Sequence, residues 1–243
     1  MAGRLGRVKG LGRERMPHLP GNPPIEITLR RSARTQRFSL RISRVDGRVT
    51  LTLPPRAKEG EAMAFAATQE GWLRKALAGL PVVAGVEMGT LLPVEGRMLR
   101  LTQGTGRVVR AEGDVLVVPG DAAQAGRRVQ AYLKALARTR LVAASDRYAG
   151  RVGRAFSAVT LRDTRSRWGS CTADGALMYS WRLVMAPPDV LDYVAAHEVA
   201  HLVEMNHASA FWAVVAQLRP DWQVQRNWLR THGGDLQGYR FGD

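Results

Sequence analysis

Residues 197–201 read His-Glu-Val-Ala-His. Two histidines four residues apart fall on one face of a helix, about 6 Å apart along its axis, so both imidazoles reach a single ion. Zinc–nitrogen bonds of roughly 2.0–2.1 Å suit that spacing without bending the backbone. Glu198 is turned about 100° from His197 around the same axis. Its carboxylate then lies beside the ion, where a general base for a water nucleophile belongs.

A catalytic zinc takes three protein ligands and leaves its fourth position to water. His207 lies six residues beyond His201, and a continuing helix would turn it about 240° away. The helix must therefore stop first. Met205-Asn206 is the expected stop, because Asn tolerates the left-handed conformation. Ser209 is then expected to cap a helix over 210–218 whose Phe211, Trp212, Val215 and Leu218 pack inward. Asp221, 20 residues after His201, and Cys171 upstream compete with His207 for the third position. Glu204 is spaced to hydrogen-bond a ligand imidazole. His18 and His232 stand in polar surroundings and receive no role.

These side chains need elements to hold them. Pro187-Pro188 followed by Asp189 and Asp192 marks the start of the HEVAH helix. Before it, Ala158–Arg162 reads as extended, and Asp174-Gly175 sits between two strand-like runs, RSRWGSC and ALMYSWRLV, which reads as a hairpin. Upstream, Asp121 caps a long helix with Val129, Leu133, Leu136, Leu141 and Tyr148 on one stripe. Short strands occupy 90–94, 98–102, 108–111 and 115–118, and Pro119-Gly120 ends that run. A helix over 61–80, with Phe65, Trp72, Leu73, Ala76, Leu77 and Leu80 on one face, covers an earlier sheet. That sheet alternates at Ile25, Ile27 and Leu29, at Phe38, Leu40 and Ile42, and at Val49, Leu51 and Leu53 after the Asp46-Gly47 turn.

The chain has 243 residues and a single cysteine, Cys171. That length supports a core without staples, and one cysteine excludes an internal disulfide, a Cys-rich zinc site and an iron–sulfur cluster. The N-terminus has no apolar signal core and no apolar run spans a bilayer, so the expectation is a soluble cytoplasmic protein without a membrane span. The net charge is +15, and residues 1–56 carry 13 basic against 3 acidic residues. Arg4, Arg7, Lys9, Arg13 and Arg15 lie in a tail, and Arg37, Arg41 and Arg48 on the sheet's outward face. Such an excess attracts polyanions, which makes nucleic acid a candidate partner; abundant Arg as plain composition is the competing explanation.

The segment HEVAHLVEMNHASAFW, preceded by RSRWGSC and APPDVLDYV, closely resembles the YgjP-like metallopeptidases, relatives of the SprT-like and WLM zinc proteases. The resemblance extends from about Ile25 to Arg230. It implies an α+β chain with a small antiparallel β-rich N-terminal domain under a covering helix, followed by a zincin-like helical catalytic domain with a β-hairpin. The boundaries expected are 1–24 for a basic flexible tail, 25–120 for the β-rich domain and 121–243 for the metallopeptidase domain. It further implies Zn²⁺ held by His197, His201 and His207, Glu198 as acid/base, and a polypeptide substrate. The spacing is also metzincin-like, but position 204 is Glu where metzincins have Gly. Ser180 stands where the family pattern leads one to expect Asn.

Arg167 and Trp168 are the substrate-binding candidates. Arg167 has the chemistry to bind a carbonyl or carboxylate, with a solvated surface role as its rival. Trp168, like Trp181, has core packing as its rival. Two other functions compete with a zinc peptidase: a nucleic-acid-associated protease or binding module, and a non-peptidase amide hydrolase that uses Cys171. A closed four-ligand zinc would favour the binding module, three ligands and an open position an enzyme.

Overall fold

A computed structural model describes residues 17–43, 47–78 and 84–242. The basic residues at 4–15 and Asp46 of the expected turn lie outside them. The chain is α+β and divides into two compact units, Met1–Leu80 and Pro81–Asp243.

The first unit holds β1 (His18–Leu19), β2 (Ile25–Arg31), β3 (Ser39–Ile42) and β4 (Val49–Leu53) in one sheet of order β1-β2-β4-β3, with α1 (Glu59–Thr68) and α2 (Glu70–Ala78) after it. Alternation decides its inner face: Ile25, Ile27, Val49, Leu51 and Leu53 are buried and pack with Ala62, Ala66 and Leu73 of the helices. Three expectations change here. The sheet begins inside the supposed tail, because His18 pairs with Glu26 and Leu19 is buried. The covering helix is two helices separated at Gln69, whose N–H bonds back to Ala66 O at 3.0 Å, and Trp72 is half exposed while small Ala62 and Ala66 make the close contact. The sheet is mixed, since β2 runs parallel to β4 and only β1–β2 and β3–β4 are antiparallel. Alternation specifies a face but carries no strand direction. Arg37, Arg41 and Arg48 are exposed.

The second unit opens with β5 (Ala84–Gly85), β6 (Leu91–Val94), β7 (Arg97–Gly104), β8 (Arg110–Glu112) and β9 (Val115–Pro119). The β6–β7 hairpin turns on Glu95 and Gly96, both at positive φ (50° and 77°), as a two-residue type I′ turn requires. Arg140 holds the Glu95 carboxylate at 2.6 Å. Asp121 caps a short 3-10 turn, accepting from Ala123 N at 3.0 Å, and this turn leads into the 28-residue α3 (Ala125–Val152). Gly120 is thus a helix start within the unit, and the division falls at 80/81 rather than near 120. The reason is shared core: Leu92, Leu99, Leu101, Leu116 and Val118 of the sheet are buried in one cluster with Val129, Leu133, Leu141 and Tyr148 of α3.

The remaining elements are β10 (Ala158–Arg162), β11 (Gly169–Cys171), β12 (Ala176–Ser180), α4 (Pro188–Ala200), α5 (Ser209–Leu218), α6 (Trp222–Leu236) and β13 (Tyr239–Arg240), which pairs with β5. β11 and β12 form the expected hairpin, and β10 joins β12 in parallel. Arg182, buried after β12, grips Asp163 through two nitrogens at 2.7 and 3.1 Å and donates to the carbonyls of Leu236 and Tyr239, which ties β10, α6 and β13 together.

Gly126 lies in the first turn of α3, where a Cβ would run into the carbonyl oxygens of Phe241 and Val86, whereas at Gly150 in the same helix it would meet open space. Gly126→Ala is expected to lower stability by about 1–3 kcal/mol, and Gly150→Ala to raise it by about 0.5–1 kcal/mol. Denaturant midpoints of both variants against wild type check this; equal shifts would contradict the packing described.

Candidate metal centre

Three constraints hold α4 in place. Its N-terminal Asp192 takes a hydrogen bond from Tyr148 of α3 and an ion pair from Arg147, and Arg219, beyond α5, reaches both Asp192 (2.6 Å) and Asp189 (3.2 Å). Its apolar face, Val190, Val194 and Val199, is buried in the core. Arg151 of α3 caps the end of α5, donating to the carbonyls of Leu218 and Gln217 at 2.9 and 2.8 Å. These contacts fix where α4 ends relative to α5.

α4 ends at Ala200, earlier than expected. Leu202 N and Val203 N bond to the carbonyls three residues back, which tightens and closes the last turn. The only described non-glycine at positive φ is Glu95, so Asn206 is not a left-handed stop. Ser209 does not cap α5 either; Ala208 is its N-cap and no side chain bonds there.

The reversal brings His207 back over the helix end. The ligating atoms of His197, His201 and His207 all lie within 4.8 Å of one another, and the Nε2 atoms of His197 and His207 are 3.1 Å apart. A tetrahedral zinc with bonds near 2.05 Å would separate two such nitrogens by about 3.3 Å. His201 uses Nδ1 against the carbonyl oxygen of Glu204 at 3.0 Å, which leaves its Nε2 for an ion. That partner is the Glu204 backbone rather than its carboxylate. The buried ring of Phe211 supports all three imidazoles, with centroid distances of 4.4 Å to His201, 4.7 Å to His207 and 4.9 Å to His197.

Burial, then the neighbouring His201 and His207, hold the His197 imidazolium down at about 3, and burial also lowers His201. Neutral imidazoles are the form that binds a cation. The three residues therefore fit a divalent ion in number and spacing, and His197 and His201 also in protonation. His207 is exposed, so the group opens to solvent on that side.

The two rivals for the third ligand stand elsewhere. Asp221 is occupied by Arg219 (2.9 and 2.8 Å) and Gln225 (2.9 Å). Cys171 is half-buried outside the histidine group; burial and then the Glu198 charge push its thiol up to about 11.

Glu198 is 5% exposed and leans on β11. A Cβ at Gly169 would sit 2.5 Å from Glu198 Oε1 and 2.6 Å from its Cγ, so only glycine leaves room for the carboxylate there. Burial pushes the Glu198 carboxyl up to about 8, and the charge of Arg167 pulls the other way, which places that exposed guanidinium in electrostatic reach. Trp168 turns from the surface and packs its indole on Gly233 of α6, where a Cβ would meet Cζ2 at 2.9 Å. Trp181 is fully buried. Ser180 is buried with its Oγ unbonded. Sequence reasoning read Phe211 only as core and gave no role to Gly169; the signal for Gly169 was its place in RSRWGSC as the first residue of an edge strand.

In the metal-free protein the Glu198 shift sets a sign. Between the ordinary carboxyl value of 4.5 and about 8, the unfolded chain ionises here while the folded chain keeps its proton. The folded state binds more protons, so this position lowers stability as pH rises through that window. Glu198→Gln removes the effect. Its melting temperature without metal is expected to gain on wild type steadily from pH 5 to pH 8; a gap that stays constant with pH would contradict it.

The YgjP-like metallopeptidase domain model matches residues 36–232, a span that holds the hairpin, HEVAH, His207 and α6 up to His232. A solved structure, the crystal structure of the metallopeptidase zymogen of Pyrococcus abyssi abylysin, aligns at 18% identity with a TM-score of 0.35, covering 37% of this chain and 92% of that one. No curated protein matches. No helix among the described residues is long and apolar enough to cross a membrane. With four-fifths of its length inside the matched span, the chain belongs to the YgjP-like metallopeptidase family.

Proposed function

We propose that the chain is a zinc-dependent peptidase in which His197, His201 and His207 hold the ion and Glu198 moves the proton. One observation carries this reading: three imidazoles converge beside a buried carboxylate on a face open to solvent. Among the described residues no fourth His, Cys, Asp or Glu joins them, which favours an enzyme's open position over a closed structural site. When bound, zinc supplies Lewis-acid polarisation of the scissile carbonyl and acidifies a water.

The chain's own groups do the rest. Glu198, as a carboxylate, accepts the proton of the attacking water at Oε1 or Oε2 and returns it to the departing amine. A nearby cation favours that ionised form against the burial that opposes it. Gly169 keeps the carboxylate in its slot. Arg167 stabilises charge that develops on the carbonyl oxygen. β11 is the outer strand of its sheet, and Ser180 N to Trp168 O (2.8 Å) and Thr172 N to Ala176 O (3.0 Å) set its register. By alternation the main-chain groups of Gly169 and Cys171 face away from β12, where an extended peptide adds as a further strand.

His201→Ala is expected to abolish zinc retention measured by elemental analysis, and His207→Ala to weaken it strongly while Asp221→Ala does not. Glu198→Gln should keep zinc and lose hydrolysis by about 10²–10⁴-fold. Gly169→Ala should also keep zinc and lose about a hundredfold through displacement of the carboxylate. Zinc unchanged in His201→Ala, or a zinc-loaded Glu198→Gln protein as fast as wild type, would refute the assignment.

A further inference from the structure

Beside the histidines lies a group the proton chemistry does not use. Trp212 of α5 has its ring 5.7 Å from that of His197 and 5.8 Å from that of His207, and it stacks on Trp222 of α6 at 4.5 Å and 22°. Arg226 lays its guanidinium over this pair, 5.0 Å from the Trp212 centroid and 5.8 Å from that of Trp222. Triangulation through Trp212 puts the guanidinium within about 11 Å of the His207 ring, some three residues of extended peptide at roughly 3.3 Å each.

Among the described residues, no carboxylate lines the groove beside Arg226. Arg226 forms no hydrogen bond or ion pair with another described residue, whereas the neighbouring Arg219 reaches three carboxylates. It borders a cavity of about 520 Å³ lined by Trp222, Gln223, Arg226, Asn227 and Arg230, with no carboxylate among them; the Asn227 side-chain oxygen accepts from Arg230 at 2.9 Å, which leaves its amide N–H groups to donate. These residues share one face of α6 at spacings of four and eight. Stacking on indole steadies a guanidinium's plane and leaves its N–H edge free for a bidentate acceptor.

We propose that Arg226 is a specificity-determining residue and that the α6 groove is a subsite for a peptide carboxylate, either an acidic side chain or the substrate's C-terminus. The matching interaction is the paired N–H···O contact between guanidinium and carboxylate, with Asn227 and Gln223 able to donate beside it. A nucleic-acid phosphate would also meet a guanidinium. The peptide is favoured because the groove adjoins the histidine group and spans only two helical turns, a length suited to one or two side chains rather than a tracked backbone. The proposal rests on the peptidase reading for its location.

The test uses zinc-loaded Glu198→Gln protein, so that binding is read without turnover. Calorimetry compares peptides carrying Asp or Glu with their Asn or Gln counterparts, the acid being scanned along the chain, and in a separate arm a free C-terminus with a C-terminal amide. Whichever arm shows the preference names the source of the carboxylate. The acid form is expected to bind about ten- to a hundredfold more tightly. A second substitution, Arg226→Gln, should bring that ratio to near one, and Arg226→Lys, which keeps a cation over the indoles, should retain part of it. Equal binding of acid and amide forms in both arms, no binding by any peptide, or a preference that survives Arg226→Gln overturns the subsite. So does a short single-stranded oligonucleotide that outcompetes the acidic peptide and loses affinity in Arg226→Gln. The peptidase reading fails separately, if wild-type zinc-loaded protein cleaves none of these peptides.

Discussion

The helix that carries HEVAH approaches β11 so closely that position 169 has no space for a side chain. That approach fixes the depth at which Glu198 is buried, and burial in turn sets its affinity for a proton. The surrounding structure serves to keep α4 at this distance. Asp192 and Asp189 anchor its N-terminal half to α3 and to Arg219, and Tyr179 of β12 meets Ser145 of α3 at 3.0 Å, which holds the hairpin against the same long helix. α3 is thus the common reference for the helix on one side of the carboxylate and the sheet on the other.

Electrostatically, the site is arranged so that its groups suit a cation before one arrives. His197 and His201, packed on the ring of Phe211, are held neutral by burial and by the neighbouring imidazoles. The adjacent carboxyl is likewise held in its proton-bearing form by the same apolar surroundings. A divalent ion would suit both conditions at once: neutral nitrogens offer it lone pairs, and its charge would favour the ionised carboxylate.

Much of this was legible in the sequence because it depends on short-range spacing. The i,i+4 histidines, the Pro-Pro helix start, the Asp174-Gly175 hairpin and the burial stripe of α3 each follow from a local period or a turn chemistry, and the structure has them. What was not legible depends on contacts between distant segments. Asn206 looked like a stop because of its intrinsic tolerance, yet the tightened turn at 201–203 ends α4 first. Asp221 competed with His207 on residue type and spacing alone, whereas its carboxylate is held by Arg219 and Gln225. The unit boundary near Gly120 was misplaced because a Pro-Gly break looks the same between domains and before a helix, and only the shared core of the β6–β9 sheet with α3 distinguishes the two.

Among the described residues, three sheets repeat one arrangement. In β2-β4-β3, β7-β9-β8 and β10-β12-β11 the last strand in sequence inserts between the other two, antiparallel to its immediate predecessor and parallel to the earlier strand. The hairpin half closes a short loop, at little entropic cost, and forms on the microsecond scale; the parallel half spans more chain and has little to gain until the hairpin presents an edge. Each sheet is therefore biased toward one assembly sequence, with the hairpin first and the earlier strand recruited onto it. For the β10-β12-β11 sheet, the strand that borders Glu198 belongs to the early half, so the floor beneath that carboxyl takes shape before the sheet around it closes.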